Sequence, residues 1–315
     1  MSEALEADAL IIGGGPAGLS AALNLGRARA SVVVVDAGRP RNAATLRSHG
    51  FMTRDGISPL ELRKLARAEL EQYPTVRVLD RVAVTVLSTA DSGDGIRFSA
   101  ALHGRGSSVP GTVSARSVLV ATGLREELPA IESLRAYYGM SVFSCAACDA
   151  WELQDRPLAL IGETPDLATR ARLIARWTDD LTVFTHGADV IDTAEEAELA
   201  ASGIHVERRA IADLEGERGA VSAVRLTDGT LVPVEGGFVR PLWHPMLDFV
   251  SGLDVDRDHE GHLLVDRSGR TSVAGLYAAG DAAAPGPQQL IVAAGQGARA
   301  AAVLVHDSVG VRTAH

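Results

Sequence analysis

A chain of 315 residues, 46% of them hydrophobic and 22% charged, has enough apolar content to bury two ordinary cores, and two domains are expected. Its net charge of −10, with basic residues scattered along the chain, excludes a nucleic-acid-binding surface. No apolar run approaches a membrane span, and the opening Met1-Ser2-Glu3-Ala4-Leu5-Glu6 is acidic where a secretion signal is basic, so a soluble cytoplasmic protein with neither membrane nor nucleic-acid partner is expected.

Ala9-Leu10-Ile11-Ile12 predicts a short strand running into Gly13-Gly14-Gly15-Pro16-Ala17-Gly18, and a helix pattern follows from Leu19 to about Arg29. This is G-x-G-x-x-G between strand and helix. Gly13 permits the tight turn, Gly15 lets the backbone approach a pyrophosphate, Gly18 allows close helix packing, and the helix N-terminus offers free N–H groups and positive dipole. A second strand, Val32-Val33-Val34-Val35, ends in Asp36, where an acid accepts from a ribose hydroxyl. Together these features predict a dinucleotide site. From Thr75 to Val120 alternating runs (Val76 to Leu87, Ile96 to Leu102, Val113 to Val120) predict an antiparallel meander inserted after the first βαβ unit. The meander closes on Ala121-Thr122-Gly123, small residues past which a cofactor could lie close to the backbone.

Both cysteines fall in Ser144-Cys145-Ala146-Ala147-Cys148-Asp149. Two thiols three residues apart, with none elsewhere, point to redox chemistry. Structural zinc would need a second ligand pair that only scattered histidines could supply, and no metal is expected. Two buried apolar cysteines form the bland alternative. A dithiol that opens a helix has its thiol pKa lowered by the free N–H groups. Asp149 reads either as a proton shuttle for the departing thiolate or as an acid that merely favours the helix dipole. At the far end, Gly275-Leu276-Tyr277-Ala278-Ala279-Gly280-Asp281 is again a strand closing on glycine and an acid, and Gln288-Gln289-Leu290 opens an alanine-rich helix to about Val305. These segments read as the second half of the site begun at Gly13.

With G-x-G-x-x-G at Gly13 to Gly18, Ala121-Thr122-Gly123, Cys145-x-x-Cys148-Asp149 and Ala278-Ala279-Gly280-Asp281 in this order and spacing, the chain resembles the low-molecular-weight thioredoxin reductase family of flavoproteins over nearly its full length. The resemblance implies an α/β fold of two Rossmann-like, three-layer ββα domains. The FAD domain is discontinuous, residues 1–124 and 241–315, and the inserted central domain, 125–240, carries the dithiol. FAD would lie with its pyrophosphate on Gly13, Gly15, Pro16, Ala17 and Gly18, close to Ala121, and its adenosine ribose on Asp36. The ribityl chain would lie on Gly280 and Asp281, with the flavin's pyrimidine edge at the helix N-terminus, Gln289. A turn cap is the other reading of Asp281. Asn42 and His49 fall in the loop that lines the flavin in this family, and His49 also reads as a plain loop histidine. Cys148 is implied as the thiol facing the flavin and Cys145 as the one that exchanges with substrate; His244, flanked by Trp243 and Pro245, reads as packed in preference to catalytic. A homodimer is expected.

The middle of the chain departs from the family pattern, which has a second G-x-G-x-x-A for NADPH and a following strand ending in His-Arg-Arg. Here Leu158-Ala159-Leu160-Ile161 leads into Gly162-Glu163-Thr164-Pro165-Asp166-Leu167, and Leu181-Thr182-Val183-Phe184 ends in Thr185-His186-Gly187. Thr164 blocks the pyrophosphate, Glu163 and Asp166 add negative charge, and no arginine pair clamps a phosphate, so NADPH binding is not expected. Such a loop resembles the dithiol oxidases of the gliotoxin and holomycin type, which close disulfides in small natural products and pass electrons to oxygen. Arg41-Asn42, His49-Gly50-Phe51, Arg54-Asp55-Gly56 and Trp151-Glu152 resemble that branch too, whereas Ala146-Ala147 and Asp149 stand where it carries a Pro-aromatic pair and a histidine. The function implied is FAD-dependent oxidation of a small-molecule dithiol through Cys145 and Cys148, with molecular oxygen as acceptor, in natural-product biosynthesis. A disulfide reductase driven by NADPH or another reductant, and a non-enzymatic FAD-binding redox sensor, are the alternatives.

Overall fold

A run of β-branched residues sets the centre of the first of two units. Val32–Asp36 is a strand buried along all 5 of its residues, as a strand covered on both faces must be. It pairs in parallel with Leu5–Ile12 on one side and Val76–Asp80 on the other. Leu5–Ile12 pairs in parallel with Thr112–Val120, which also takes Leu276–Ala278 as a parallel neighbour. The computed structural model describes residues 5–89, 98–104, 109–283 and 286–311. It divides into one unit of residues 1–43, 50–125 and 244–315, and another of 44–49 and 126–243.

In the first unit the sheet has 7 strands, completed by Phe98–Gly104 and Val82–Thr89, which pair antiparallel in sequence from Thr112–Val120. The expected strand from Val76 to Leu87 is therefore two. Arg81 stands between them with φ 57, a left-handed conformation that ends one strand and starts another. The first piece joins the parallel sheet, and only the second belongs to the antiparallel insertion. The beginning of the run predicted at Ile96 lies outside the described residues.

One face of this sheet is covered by the helices Pro16–Arg27 and Leu290–Ser308. Small residues on both helices let them approach closely: a β-carbon at Gly297 would fall 2.0 Å from the Ala17 carbonyl oxygen. The far end of the second helix is pinned by Asp307, which accepts from Arg270 Nε at 2.7 Å and from the Tyr277 hydroxyl at 2.8 Å. Tertiary packing of this kind brings the glycine loop after Ile12 and the turn after Ala278 together, although they are far apart in sequence.

In the second unit, five short strands form a parallel sheet in the order His205–Glu207, Leu181–Phe184, Leu158–Ile161, Gly236–Val239, Val142–Phe143. A three-stranded antiparallel sheet of Ile211–Glu217, Ala220–Leu226 and Leu231–Pro233 completes the unit. Both predicted strands flanking the divergent loop occur as Leu158–Ile161 and Leu181–Phe184. Residues 44–49, assigned by sequence to the 1–124 segment, group here because Gly139 (φ 81) lies directly against the Ala44 carbonyl, where a β-carbon would come within 2.1 Å.

Candidate active site

The glycine loop of the first unit is shaped for an anion. Gly13 adopts φ 119 with its α-carbon against Ala121, where a β-carbon would lie 2.2 Å from the carbonyl oxygen. Gly15 is the N-cap of Pro16–Arg27; no side chain caps that helix, its first turn carries no acid, and the space in front of Gly15 is open to 4 Å. Four N–H groups of a helix start have no partner inside the helix, so an uncapped, open N-terminus is a ready anion site. Beside it, Thr122 Oγ1 is buried with no hydrogen-bond partner. Gly280 comes within packing distance of Ala17, and its N–H donates to Gln296 Oε1 at 2.8 Å. Gln289 is the N-cap of Leu290–Ser308, a second helix start with no side-chain cap. Thus Gly13, Gly15, Pro16, Ala17, Gly18, Ala121, Gly280, Asp281 and Gln289 all lie in one unit, and an orphaned hydroxyl and two open helix starts fit a dinucleotide with a pyrophosphate.

Two acids of this cradle already have partners. Asp36, buried at 6% exposure, accepts from Gly38 N–H at 2.8 Å and from the guanidinium groups of Arg63 and Arg67. A ribose hydroxyl would share this carboxylate with two cations. Arg63 and Arg67 sit at i and i+4 on the helix Pro59–Leu70, a spacing visible in the sequence, but the acid they meet is set by tertiary packing. Asp281 pairs with Arg41 at 3.1 Å. Asn42 lies in the same short 3₁₀ turn as Arg41, Arg41–Ala44. A small pocket runs past Gly280, Asp281, Gln288 and Gln296, with His262 among its walls. Asp258, Glu260 and His262 bring potential metal-ligand atoms within 4.8 Å of one another, but Asp258 there accepts the N–H groups of Glu260 and His262, as in an ordinary turn.

The dithiol belongs to the second unit. Cys145 and Cys148 are joined as a disulfide, with Cys145 the N-cap of the single-turn helix Ala146–Asp149. Asp149 is half-buried; loss of solvent, and after it the nearby Glu152 carboxylate, push its carboxyl up to about 7. A carboxyl with that poise exchanges protons near neutral pH. On the other flank, the Tyr138 hydroxyl donates to Glu126 at 2.6 Å and lies 3.0 Å from the hydroxyl of Ser144, the residue before Cys145. Sequence reasoning missed this cluster because no motif links residues 126, 138 and 144. His49 also stands in this unit, with Nδ1 3.5 Å from Glu152 Oε1.

The divergent loop is filled by its own side chains. Asp166 precedes the helix Leu167–Ile174 and accepts from Thr164 Oγ1 at 2.6 Å, Arg170 Nε at 2.7 Å and Arg240 Nε at 3.0 Å. Burial works against its charge, but these partners hold the Asp166 carboxyl below the usual carboxylate range. Arg240 in turn lies 3.9 Å over the Trp243 ring. Glu163 faces His186 Nε2 at 3.8 Å. The negative charge expected from Asp166 at this loop has company that the sequence did not disclose: Arg170 and Arg240 both pair with the carboxylate of this N-cap residue.

The family described as Pyridine nucleotide-disulphide oxidoreductase matches residues 7–297. A probable thioredoxin reductase of Arthroderma benhamiae is 31% identical over 182 residues, 58% of this chain and 44% of that one, so the chain's match spans less than half of that relative's length. Thioredoxin reductase aclD of Aspergillus oryzae is 30% identical over 87% of this chain and 88% of its own. Among solved structures, a putative thioredoxin reductase TrxB of Bacillus anthracis superposes with a TM-score of 0.88 at 36% identity, covering 96% of this chain and 99% of that one.

Proposed function

We propose that this chain, which belongs to the pyridine nucleotide-disulphide oxidoreductase family and is an oxidoreductase of the thioredoxin reductase-like kind, oxidises a small-molecule dithiol to a disulfide, with FAD as cofactor and oxygen as acceptor. The observation that carries this reading is the occupied second loop. Where a nicotinamide dinucleotide would place its pyrophosphate, Asp166 already takes Thr164, Arg170 and Arg240. With that port closed, electrons enter from the dithiol side. The names of the relatives favour a second reading, disulfide reduction, which would need a reductant that does not use this loop.

Gly13, Gly15, Pro16, Ala17 and Gly18 would hold the pyrophosphate of FAD, with Ala121 alongside, Asp36 the ribose, and Gly280, Asp281 and the start of the helix at Gln289 the flavin half. Bound there, FAD supplies removal of two electrons from the enzyme dithiol and their delivery to oxygen as hydrogen peroxide. Disulfide exchange belongs to the chain's own residues. Asp149 takes the proton of a substrate thiol, whose sulfur attacks Cys145 Sγ; the Cys145–Cys148 bond breaks, its electron pair goes to Cys148 Sγ, and the proton held by Asp149 follows. The second substrate thiol loses its proton and attacks the substrate sulfur of the mixed disulfide, and Cys145 leaves with the electron pair and that proton. The substrate is oxidised by two electrons and the enzyme disulfide reduced, with protons conserved.

No helix among the described residues is long and apolar enough to cross a membrane. Within the proposal the enzyme works in the cytoplasm as a homodimer, on a dithiol of natural-product biosynthesis. The purified protein with FAD, given a small dithiol in air, is expected to consume oxygen and release hydrogen peroxide in equal amounts, one for each disulfide formed. Oxygen uptake no faster than that of free FAD would refute the proposal.

A further inference from the structure

A loop from outside the dithiol segment brings a histidine to Glu152, three residues past Asp149. Residues 44–49 group with the second unit, and His49, with a side chain only 16% exposed, places Nδ1 3.5 Å from Glu152 Oε1. Glu152 follows Asp149 by three positions in one helical run: the turn Ala146–Asp149 passes through Ala150, at φ −73 and ψ −22, into the 3₁₀ turn Trp151–Leu153. Residues three apart in such a run present neighbouring side chains, and Asp149 itself directly follows Cys148. We propose that His49 is a positioning residue for the dithiol: by holding Glu152 and offsetting its charge, it sets how readily Asp149 takes the proton of the incoming thiol. The proposal rests on the reading of Asp149 as the base of disulfide exchange.

Two like charges on one helical face disfavour each other's ionisation, and an opposite charge beside one of them relieves the other. Glu152 is the charge that acts on Asp149, in the same upward direction as burial. On the Cys145 side of the turn, Glu126 and Tyr138 bond to each other and to Ser144. His49, seated beside Glu152, therefore bears on Asp149 through that carboxylate. In the wild-type protein Asp149 becomes a competent base as the pH rises through about 7.

The test titrates the Asp149 carboxyl by carbon NMR in full-length protein with FAD and labelled aspartate, the signal being assigned by its loss in Asp149→Asn. The rate of the anaerobic half-reaction with dithiothreitol is followed over the same pH range. His49→Gln is expected to raise the midpoint by about one pH unit. Glu152→Gln is expected to lower it, and in the double variant His49→Gln should add nothing further. His49→Arg, a permanent cation, should keep the midpoint at or below that of the wild type. Midpoints unmoved by His49→Gln, beside a rate that still depends on Asp149, would overturn the proposal alone. A rate indifferent to Asp149→Asn would overturn the general-base reading, and the proposal with it.

Discussion

Cys148→Ser is expected to leave the fold and the bound FAD in place while lowering dithiol turnover by about a thousand-fold or more. Both cysteines are half-buried and joined to each other, and the turn that carries them is made by backbone bonds, such as Asp149 N–H to the Cys145 carbonyl at 3.1 Å. Serine keeps those bonds but ends the chemistry, because its hydroxyl forms no disulfide. Cys145→Ser should be equally inactive for a different reason. With Cys145 alone present, its thiolate attacks a small monothiol disulfide such as 2-hydroxyethyl disulfide, one mercaptoethanol leaves, and no second thiol on enzyme or reagent resolves the product, so the Cys148→Ser protein should hold a mixed disulfide detectable by mass; with Cys148 as the lone thiol, that adduct should be scarce if Cys145 is the exchanging sulfur. Near wild-type turnover in either variant would remove the dithiol from the centre of the reaction.

Gly15→Glu is expected to weaken FAD binding by about two to four orders of magnitude. The loss follows from two charge-assisted hydrogen bonds at the helix start, each worth about 1.5–3 kcal/mol, with repulsion added. Gly15 has φ −83 and nothing within 4 Å of a β-carbon, so the new carboxylate stands in the pyrophosphate's approach without disturbing the packed core. Gly15→Ala is the control for shape and should bind FAD with only a small loss. Gly18 would be a poor choice for the test, since a β-carbon there meets the Gly13 carbonyl oxygen at 1.9 Å and the loop itself would have to move. Fluorescence titration of the FAD-free proteins, alongside their thermal unfolding, measures binding and fold separately. Stoichiometric FAD in Gly15→Glu would refute the assignment of the first site.

Features written in a few adjacent residues were legible without coordinates. The glycine loop, the dithiol turn and the strand before Gly162 each carry their reason locally: a positive φ at Gly13, a helix start at Cys145, a short apolar run at Leu158–Ile161. Features that depend on which distant residues meet were not. Alternation from Val76 to Leu87 signals extended chain but is blind to the break at Arg81 and to the parallel partner of its first half. Nothing local says that Arg63 and Arg67 reach Asp36, or that Arg170 and Arg240 offset Asp166. The same holds for His49. Its motif resembles a flavin-lining loop, yet the close approach of Gly139 to Ala44 carries it in with the dithiol unit.

The choice between oxidase and reductase turns on the second loop. In the oxidase reading proposed above, its obstacle to a dinucleotide is occupancy as well as repulsion, since Asp166 accepts from Thr164, Arg170 and Arg240 within the loop. The most direct measurement is the flavin absorbance band of the FAD-loaded protein under strict anaerobiosis, with NADPH, NADH and a small dithiol added in separate cells. The dithiol is expected to bleach the band and both nucleotides to leave it unchanged for minutes, with hydrogen peroxide appearing in the dithiol cell once air is admitted. Stoichiometric bleaching by micromolar NADPH would contradict the oxidase reading and make the protein an ordinary reductase.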